Sequence, residues 1–394
     1  MSKSISFFNK SLRIARFKIS LASLFWFALS LIAVFIQIKK NSFNNYLIYK
    51  GVFWHSLHEV NLYSLYPNEY FDCNHYGIVF SIIIAPFALL PDVLGCILWG
   101  LANTISLFLA IQMLPVEKNK KMLIQWVAVI EMMTSMHNLQ FNPMLTSYLL
   151  FSWILVIKKK DFWATLFIAL GIMTKIYGVV ALSFFLFSSD RLKFVYSFIF
   201  WTILLFCIPM LFVSPSFNIQ SYQDWYYSLY YKNQSNVEST MQGMNVMRLI
   251  KRGFNLPQLS DSYFFILGFL GAIGILFKPT NWKNENTQFR YLSLMLISIV
   301  IFSSSAESST FIIAMTGVAI WFVQEKNSHW LTTTILISAI VLTSISTTDF
   351  FPQYAKVNII RPYAIKALPC MIVWIIISLQ ILFPNILKKK IAHE

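Results

Sequence analysis

The feature that most constrains this chain is a series of uncharged apolar runs that recurs along its whole length. Examples are 19–38, 93–114, 194–213 and 367–383. Each run is close to the ~20 residues that a helix needs to cross a hydrocarbon core. Backbone groups in lipid must be hydrogen-bonded within the segment, and the runs are continuous rather than alternating, so they predict helices and not barrel strands. With 57% hydrophobic and 12% charged residues, an all-α integral membrane protein is predicted.

The apolar runs predict a polytopic bundle of about twelve spans, with roughly 10 to 13 as the range, in a single domain over residues 1–394. The segment 161–188 is interrupted by Lys175 and is either two short spans or one broken helix. The run 76–90 is assigned to a re-entrant or membrane-surface helix, because a full span there would move later basic clusters outside. The spans lie at about 18–38, 93–114, 122–137, 142–157, 161–175, 176–188, 193–213, 262–278, 289–305, 309–323, 329–347 and 364–385.

Basic residues occur as short clusters between the apolar runs. Most of the 31 Lys and Arg fall on one side of the predicted spans, and the positive-inside rule places that side in the cytoplasm. Both termini are then cytoplasmic, and the first run is expected to be a retained signal anchor, most simply in a bacterial inner (plasma) membrane. The same clusters account for the net charge of +15, so binding of nucleic acid is not predicted.

Two long segments, 39–92 and 214–261, are predicted on the extracytoplasmic side, where external chemistry or recognition would lie. The first is expected to contain the interfacial or re-entrant helix. The four cysteines are scattered and predict neither a disulfide framework nor a zinc site. Because the chain has no P-loop, GxGxxG, HExxH or GxSxG motif, nucleotide-driven, zincin and hydrolase chemistry are not supported.

The first outer segment ends in residues suited to facing a carbohydrate. An Asn-, Tyr-, Trp- and His-rich stretch leads to Asp72, His75 and Tyr76. Aromatic rings stack on sugars and short polar side chains bond hydroxyls, so the stretch favours sugar binding. The alternative is an amphipathic helix at the membrane interface with an aromatic belt, and the two interpretations are compatible. An external base would come from the few outer carboxylates, among them Glu59, Glu69 and Asp72.

Polar residues also interrupt the apolar runs further along the chain. Gln140 and Asn142 lie between two spans, where they either contact a ligand or cap helix ends. Lys175 is flanked by largely apolar residues on both sides, so it must snorkel, pair with a carboxylate or meet a ligand anion, and the anion is favoured. Glu307 lies among hydroxyl residues at the outer end of a span, where burial without a role would be costly. Glu131 is similarly unusual but more ambiguous.

A basic cluster lies in the second outer segment. Arg248, Lys251 and Arg252 are spaced i, i+3 and i+4 and so share one helical arc. Positive charge outside the membrane has no topogenic role, so the cluster predicts binding of a lipid-linked phosphate or pyrophosphate. A solvated basic face is the alternative.

Taken in order, these segments resemble a known family. The aromatic loop ends in D-x-x-HYG-x-VFS-x(3)-APFALLP, and it is followed by LWG-LAN, Q-x-NP-x-LTSYLLFSW, KKKDFWATLFIALGIMTKIYG and QSYQDWYYSL-x(3)-NQSN-x(8)-NVMRLIKR. Over about residues 40–325 the chain resembles the membrane glycosyltransferases of the GT-C superfamily. The specific resemblance is to family 87, the polyprenol-phosphate-mannose-dependent α-mannosyltransferase-like proteins.

The resemblance implies inverting transfer of a hexose, by analogy mannose, from a polyprenyl-phosphate donor to a lipid- or glycan-type acceptor at the outer leaflet. Such a reaction needs a carboxylate base and cations around the leaving phosphate. Asp72 is assigned as the base, with Glu69 and Glu59 as alternatives. Sugar or acceptor contacts are assigned to Asn45, His75, Tyr76, Gln140, Asn142 and Glu307, and phosphate contacts to Lys175, Arg248, Lys251 and Arg252.

Asn45 departs from the family's pattern. The family often carries an acid in a D-x-x-x-Y pattern soon after the first span, and the matching position here is Asn45, four residues before Tyr49. An amide cannot act as a general base, so the resemblance implies either that the base lies elsewhere or that activity is absent.

Two other functions fit the same features. One is a flippase or transporter of lipid-linked glycans, and the other is an oligosaccharide polymerase or ligase that shares the lipid-phosphate site. The expected partners are the polyprenyl-phosphate sugar donor, the acceptor and membrane lipid, with no cofactor. Some enzymes of the superfamily need a divalent ion and others do not, so the resemblance leaves a metal open, but the sequence has no compact acidic cluster and predicts no metal site.

Overall fold

The described part of the chain is almost wholly helical. The residues that the computed structural model describes are 11–14, 17–238, 243–274, 282–325 and 330–383. Basic residues at the two extreme ends, which entered the predicted topology, lie outside these ranges. An antiparallel hairpin of β1 (Ser11–Ile14) and β2 (Phe17–Ser20) precedes the first helix. The chain divides into two compact units, Met1–Gln234 and Ser235–Glu394, and each is described by itself.

The first unit is built from helices joined by short loops. Ser20 Oγ accepts from Ser23 N–H at 3.1 Å at the start of the first helix, and Asp190 Oδ1 accepts from Lys193 N–H at 3.0 Å at the start of a later one. These caps satisfy amide donors that have no partner within a helix. The helices are α1 (Leu21–Lys39), α2 (Asn44–Leu57), α3 (Phe80–Ala88), α4 (Asp92–Met113), α5 (Lys118–His137), α6 (Asn142–Ile157), α7 (Asp161–Thr174), α8 (Arg191–Cys207) and α9 (Pro215–Glu238), of which α9 belongs to this unit up to Gln234.

Buried aromatic rings join α3 and α4 to the loop before α6. The Phe80 ring lies edge-on to Trp99 and to Phe141, with ring centres 5.8 Å and 5.2 Å apart. Trp99 Nε1 donates to the Leu139 carbonyl at 2.9 Å. Each aromatic pair contributes about 0.5–1.5 kcal/mol beyond the burial of its surface. The cluster therefore fixes the loop that carries Gln140.

The apolar segment 161–188 is broken at Lys175. Helix α7 ends at Thr174, Lys175 is extended (φ −145°, ψ 121°), and a 3₁₀ segment follows from Ile176 to Phe187. The chain can turn tightly here because glycines face each other, and a Cβ atom on Gly178 would lie 2.2 Å from the carbonyl carbon of Gly171. The break leaves the Lys175 side chain at the junction of the two segments.

The second unit contains shorter helices around two buried ones. A Cβ atom on Gly317 would lie 2.9 Å from the Ser293 carbonyl, so this glycine lets two helices approach closely. Trp374 Nε1 donates to Ser298 Oγ at 2.8 Å and ties the last described helix to the same pair. The helices are α10 (Val246–Gly253), α11 (Asp261–Gly274), α12 (Glu285–Ile301), α13 (Phe311–Gln324), α14 (Trp330–Ser338) and α15 (Leu368–Leu382), with 3₁₀ turns at Ser308–Thr310 and Ile365–Ala367 and π-helical turns at Ala339–Ile345 and Lys356–Ile360.

Among the described residues, four helices are long and apolar enough to cross a membrane: Leu21–Lys39, Asp92–Met113, Arg191–Leu211 and Ile365–Leu382. The prediction of about twelve spans is not confirmed, because other apolar helices have only 10–17 residues. A helix of 14 residues such as α7 is about 21 Å long, less than the ~30 Å of a hydrocarbon core. Helix α3 has nine residues and is about 13 Å long, which suits the re-entrant or surface assignment of 76–90.

Candidate functional site

The polar site of the first unit is positioned by Gly77. The Gly77 N–H donates to the Thr174 carbonyl at 3.1 Å, so the H-Y-G stretch docks on the break after α7. A Cβ atom at this position would lie 2.2 Å from the Met173 carbonyl oxygen and 3.0 Å from the Trp225 ring. Only glycine allows this approach, and it brings His75 and Tyr76 beside Lys175.

The Lys175 ammonium contacts one amide side chain and two aromatic rings. Its Nζ donates to Asn142 Oδ1 at 2.8 Å, and Asn142 is the buried first residue of α6. The same ammonium lies 5.5 Å from the ring centre of Tyr76 and 4.8 Å from that of Tyr177, both distances at which a cation is attracted to an aromatic face. The structure thus brings together three residues that the sequence assigned to a site: Tyr76, Asn142 and Lys175.

Gln140 joins the same group through two tyrosines. The hydroxyls of Tyr49 and Tyr76 both donate to Gln140 Oε1, at 3.2 Å and 3.3 Å, and lie 3.2 Å from each other. Two donors on one amide oxygen fix the side-chain orientation. The Gln140 amide nitrogen is then directed away from these tyrosines.

His75 is held by helix α9. Its Nδ1 lies 2.8 Å from Ser228 Oγ, and its carbonyl accepts from Trp225 Nε1 at 2.9 Å. Burial, with a smaller contribution from Lys232, lowers the pKa of His75 to about 4, although the Asp72 carboxylate acts in the opposite sense. The imidazole is therefore neutral near neutral pH.

Asp72 is exposed at the edge of this group. Its Oδ1 accepts from the Cys73 N–H at 2.9 Å, and its Oδ2 lies 3.8 Å from Lys232 Nζ. The residue has a left-handed backbone (φ 73°), which Asp tolerates better than most residues. An exposed carboxylate beside a neutral imidazole and Lys232 can accept a proton from a ligand hydroxyl.

The two alternative bases have structural partners. Glu69 Oε2 lies 3.0 Å from His55 Nε2, and Glu59 accepts from the backbone N–H and the hydroxyl of Ser214, the latter at 2.9 Å. Glu69 thus joins its loop to helix α2, and Glu59 joins two loop segments. Of the three carboxylates, Asp72 is the one that lies beside His75, with ligand atoms of the two side chains within 4.8 Å of each other.

Asn45 also has a structural contact. Its Nδ2 donates to the Asn138 carbonyl at 2.7 Å and joins α2 to the end of α5. A carboxylate has no proton to donate here, so the amide is the side chain that this contact requires.

The basic cluster belongs to the second unit and lines a cavity of about 440 Å³ together with Asn255, Pro362 and Tyr363. Arg252 Nη1 donates to the Pro362 carbonyl at 2.6 Å, and the Arg248 guanidinium donates to the Asn236 carbonyl. Lys251 forms an ion pair with Asp261. Burial lowers the pKa of both arginines, which nevertheless stay charged. Arg248, Lys251 and Arg252, which the sequence placed on one helical arc, thus line the same cavity.

Glu307 differs from its prediction. The side chain is exposed, so the cost of burial that singled it out does not apply. Its backbone N–H donates to Thr310 Oγ1 at 3.2 Å at the start of a 3₁₀ turn. The buried charge nearby is Lys366, whose Nζ donates to Ser308 Oγ at 3.0 Å and lies 5.0 Å from the Phe311 ring centre. Sequence reasoning missed Lys366, because a lysine near the end of an apolar run can extend its side chain to the membrane interface and so does not require a partner.

The long apolar helices define a membrane protein. Comparison with protein families identifies its kind: residues 74–304 match the model of glycosyltransferase family 87. That match covers 231 of the 394 residues, and the chain therefore belongs to glycosyltransferase family 87. The curated proteins with which the chain was compared include no match.

The family match confirms the resemblance and makes glycosyl transfer the class of activity. The matched residues include His75, Tyr76, Gln140, Asn142, Lys175, Arg248, Lys251 and Arg252. Asn45 and Asp72 precede the matched residues, and Glu307 follows them. The case for Asp72 therefore rests on its geometry.

Proposed function

We propose that the protein is an inverting glycosyltransferase that moves a hexose, mannose in the first instance, from a polyprenyl-phosphate donor to a lipid- or glycan-type acceptor. Family membership supports glycosyl transfer. The lack of a nucleotide-binding motif and the apolar helices support a lipid-borne donor. The positive-inside pattern supports a reaction at the extracytoplasmic face, in a bacterial inner membrane.

The observation that carries the proposal is the grouping around His75. An exposed carboxylate, Asp72, lies next to it, and the adjacent residue, Tyr76, has its ring centre 5.5 Å from Lys175 Nζ. Within this group, Lys175 interrupts an apolar segment, a position that favours a role in binding an anion. Carboxylate, hydroxyl, amide and ammonium groups together match a sugar and a phosphate.

In the proposed reaction the acceptor hydroxyl oxygen attacks the anomeric carbon of the donor. Asp72 takes the hydroxyl proton as the new carbon–oxygen bond forms. The bond from the anomeric carbon to the phosphate oxygen breaks, and the polyprenyl phosphate leaves with the electron pair. Attack opposite the leaving group inverts the anomeric centre. A cation beside the phosphate stabilises the charge that develops on it.

Each unit offers a candidate for binding the phosphate. In the first unit it is Lys175, and in the second unit it is the cavity of Arg248, Lys251 and Arg252. Lys175→Met and Arg252→Met separate the two. Loss of a charge-assisted hydrogen bond costs about 1.5–3 kcal/mol, so the variant that removes the phosphate ligand should raise KM for the donor roughly tenfold or more.

The proposal is tested by transfer in lipid vesicles containing purified protein, radiolabelled polyprenyl-phosphate sugars and extracts of candidate acceptors. Asp72→Asn should lower the rate by at least about 100-fold, because an amide cannot take the proton. Asp224→Asn is the matched control, since that carboxylate accepts from Asn61 and Gln220, each at 2.8 Å, and has no assigned role. Transfer by Asp72→Asn at the unaltered rate would remove Asp72 as the base.

The alternatives give different products in the same vesicles. A flippase would move labelled lipid between leaflets with the sugar still attached to the donor. A polymerase or ligase would consume a lipid-linked oligosaccharide and leave the monosaccharide donor intact. Either result would overturn the proposed transfer.

A further inference from the structure

Three different donor atoms meet where the first outer segment ends. A carboxylate oxygen of Asp72, the thiol sulfur of Cys73 and a ring nitrogen of His75 all lie within 4.8 Å of one another. Carboxylate, thiolate and imidazole together suit a borderline-soft divalent ion such as Zn²⁺ better than Mg²⁺ or Ca²⁺.

The spacing of two of these atoms already matches zinc. Cys73 Sγ lies 3.7 Å from His75 Nε2. With tetrahedral geometry and ordinary zinc bond lengths to sulfur and nitrogen, these two ligand atoms are about 3.6 Å apart. The Asp72 side chain is 59% exposed, so rotation can bring an oxygen to a third position. A fourth position then faces solvent.

Ser228 orients the imidazole for this role. Its hydroxyl lies 3.3 Å from the Asn74 carbonyl, to which it donates, and 2.8 Å from His75 Nδ1. A hydroxyl has one proton, so when it donates to Asn74 it accepts from the Nδ1–H of His75. The Nε2 lone pair is then directed towards Cys73. Metal-ligating histidines are commonly fixed by such a hydrogen bond on the other ring nitrogen.

We infer that Asp72, Cys73 and His75 form a binding site for Zn²⁺ or a similar divalent ion. The metal–sulfur bond forms as the Cys73 thiol loses its proton to solvent. The ion also displaces Lys232 Nζ, which lies 3.8 Å from Asp72 Oδ2. Lys232→Gln should therefore bind the ion more tightly, because a competing positive charge is removed.

Metal binding has a consequence for transfer. Coordination occupies the carboxylate lone pair that would accept a proton, so Zn²⁺ should inhibit the reaction. This consequence rests on the proposed function, in which Asp72 is the base, whereas the binding itself does not.

The test uses purified full-length protein that has been stripped with a chelator and titrated with Co²⁺. We expect a thiolate-to-cobalt charge-transfer band in the near ultraviolet that Zn²⁺ abolishes. Cys73→Ser should lack the band, and Cys207→Ser, which alters an exposed free cysteine of the same unit, should keep it. Ser228→Ala should weaken Co²⁺ affinity about 10- to 100-fold and keep the band.

A second measurement guards against misfolded variants. Zn²⁺ should raise the unfolding temperature of the unaltered protein and of Cys207→Ser, because a ligand that binds the folded state stabilises it. No band in the unaltered protein, or a band that persists in Cys73→Ser, would overturn the site. A band without inhibition of transfer by Zn²⁺ would support the site and contradict Asp72 as the base.

Discussion

Gly77→Ala tests how the polar site is positioned. The added Cβ atom would lie 2.2 Å from the Met173 carbonyl oxygen, whereas real Cβ atoms stay at 3.0 Å or more, so the backbone must move by at least 0.8 Å (3.0 − 2.2). Overpacking of this kind costs about 1–3 kcal/mol. The same movement strains the 3.1 Å hydrogen bond from Gly77 N–H to Thr174, which is worth about 1 kcal/mol. We therefore expect the free energy of unfolding to fall by roughly 2–4 kcal/mol.

Thermal unfolding in one detergent, together with donor transfer in vesicles, measures the effect. For a unit of 234 residues, each kcal/mol lowers the midpoint by about 2–4 °C, so the shift should be at least about 4 °C. Transfer should also fall, because the Lys175 ammonium and the Tyr76 ring, now 5.5 Å apart, would separate. Gly253→Ala is the control, since a Cβ atom there meets nothing within 4 Å. Gly77→Ala with unaltered stability and transfer would refute this account of the site.

Asn45, Glu69 and Lys251 each carry one further prediction. Asn45→Asp, which restores the acid common in the family, should lower the unfolding temperature without raising transfer, because a carboxylate cannot make the 2.7 Å donation to the Asn138 carbonyl. Glu69→Gln should change stability by less than about 1 kcal/mol and leave transfer within a few-fold, since its pair with a histidine is half exposed; a 100-fold loss of transfer would make Glu69 the base. Lys251→Met should cost about 3 kcal/mol by leaving the largely buried Asp261 carboxylate unpaired, and the double variant with Asp261→Asn should recover most of it in thermal unfolding; no recovery would contradict the pair.

Residues of the candidate site were predictable from the sequence where a polar side chain interrupts an apolar run. Gln140, Asn142 and Lys175 interrupt apolar runs, and a polar group at such a position needs a partner or a ligand. The structure brings them to one place through Tyr76. Ser228 and Lys232 were missed because polar residues are ordinary in a segment as polar as the one that forms α9. Their contacts reach back more than 150 residues, to His75 and Asp72.

The number of spans was the least predictable property of the fold. Hydropathy gives equal weight to every apolar run, but a run that is broken or buried against other helices need not cross the bilayer. The segment around Lys175 shows this, since α7 has 14 residues and ends in an extended residue before a 3₁₀ segment. Whether a short apolar helix crosses is decided by neighbouring helices that satisfy its backbone.

The sequence by itself determined that the chain is a helical membrane protein, because long apolar runs can satisfy their backbone groups in lipid only as helices. The ordered motifs also determined the glycosyltransferase family. Tertiary structure alone decided which of the three candidate carboxylates lies beside His75. All three carboxylates are exposed, but Glu59 is held by Ser214 and Glu69 by His55. Folding instead places Asp72 beside His75, with its carboxylate 3.8 Å from Lys232 Nζ. Local sequence cannot assign those partners, since the contact between Glu59 and Ser214 joins residues 155 positions apart.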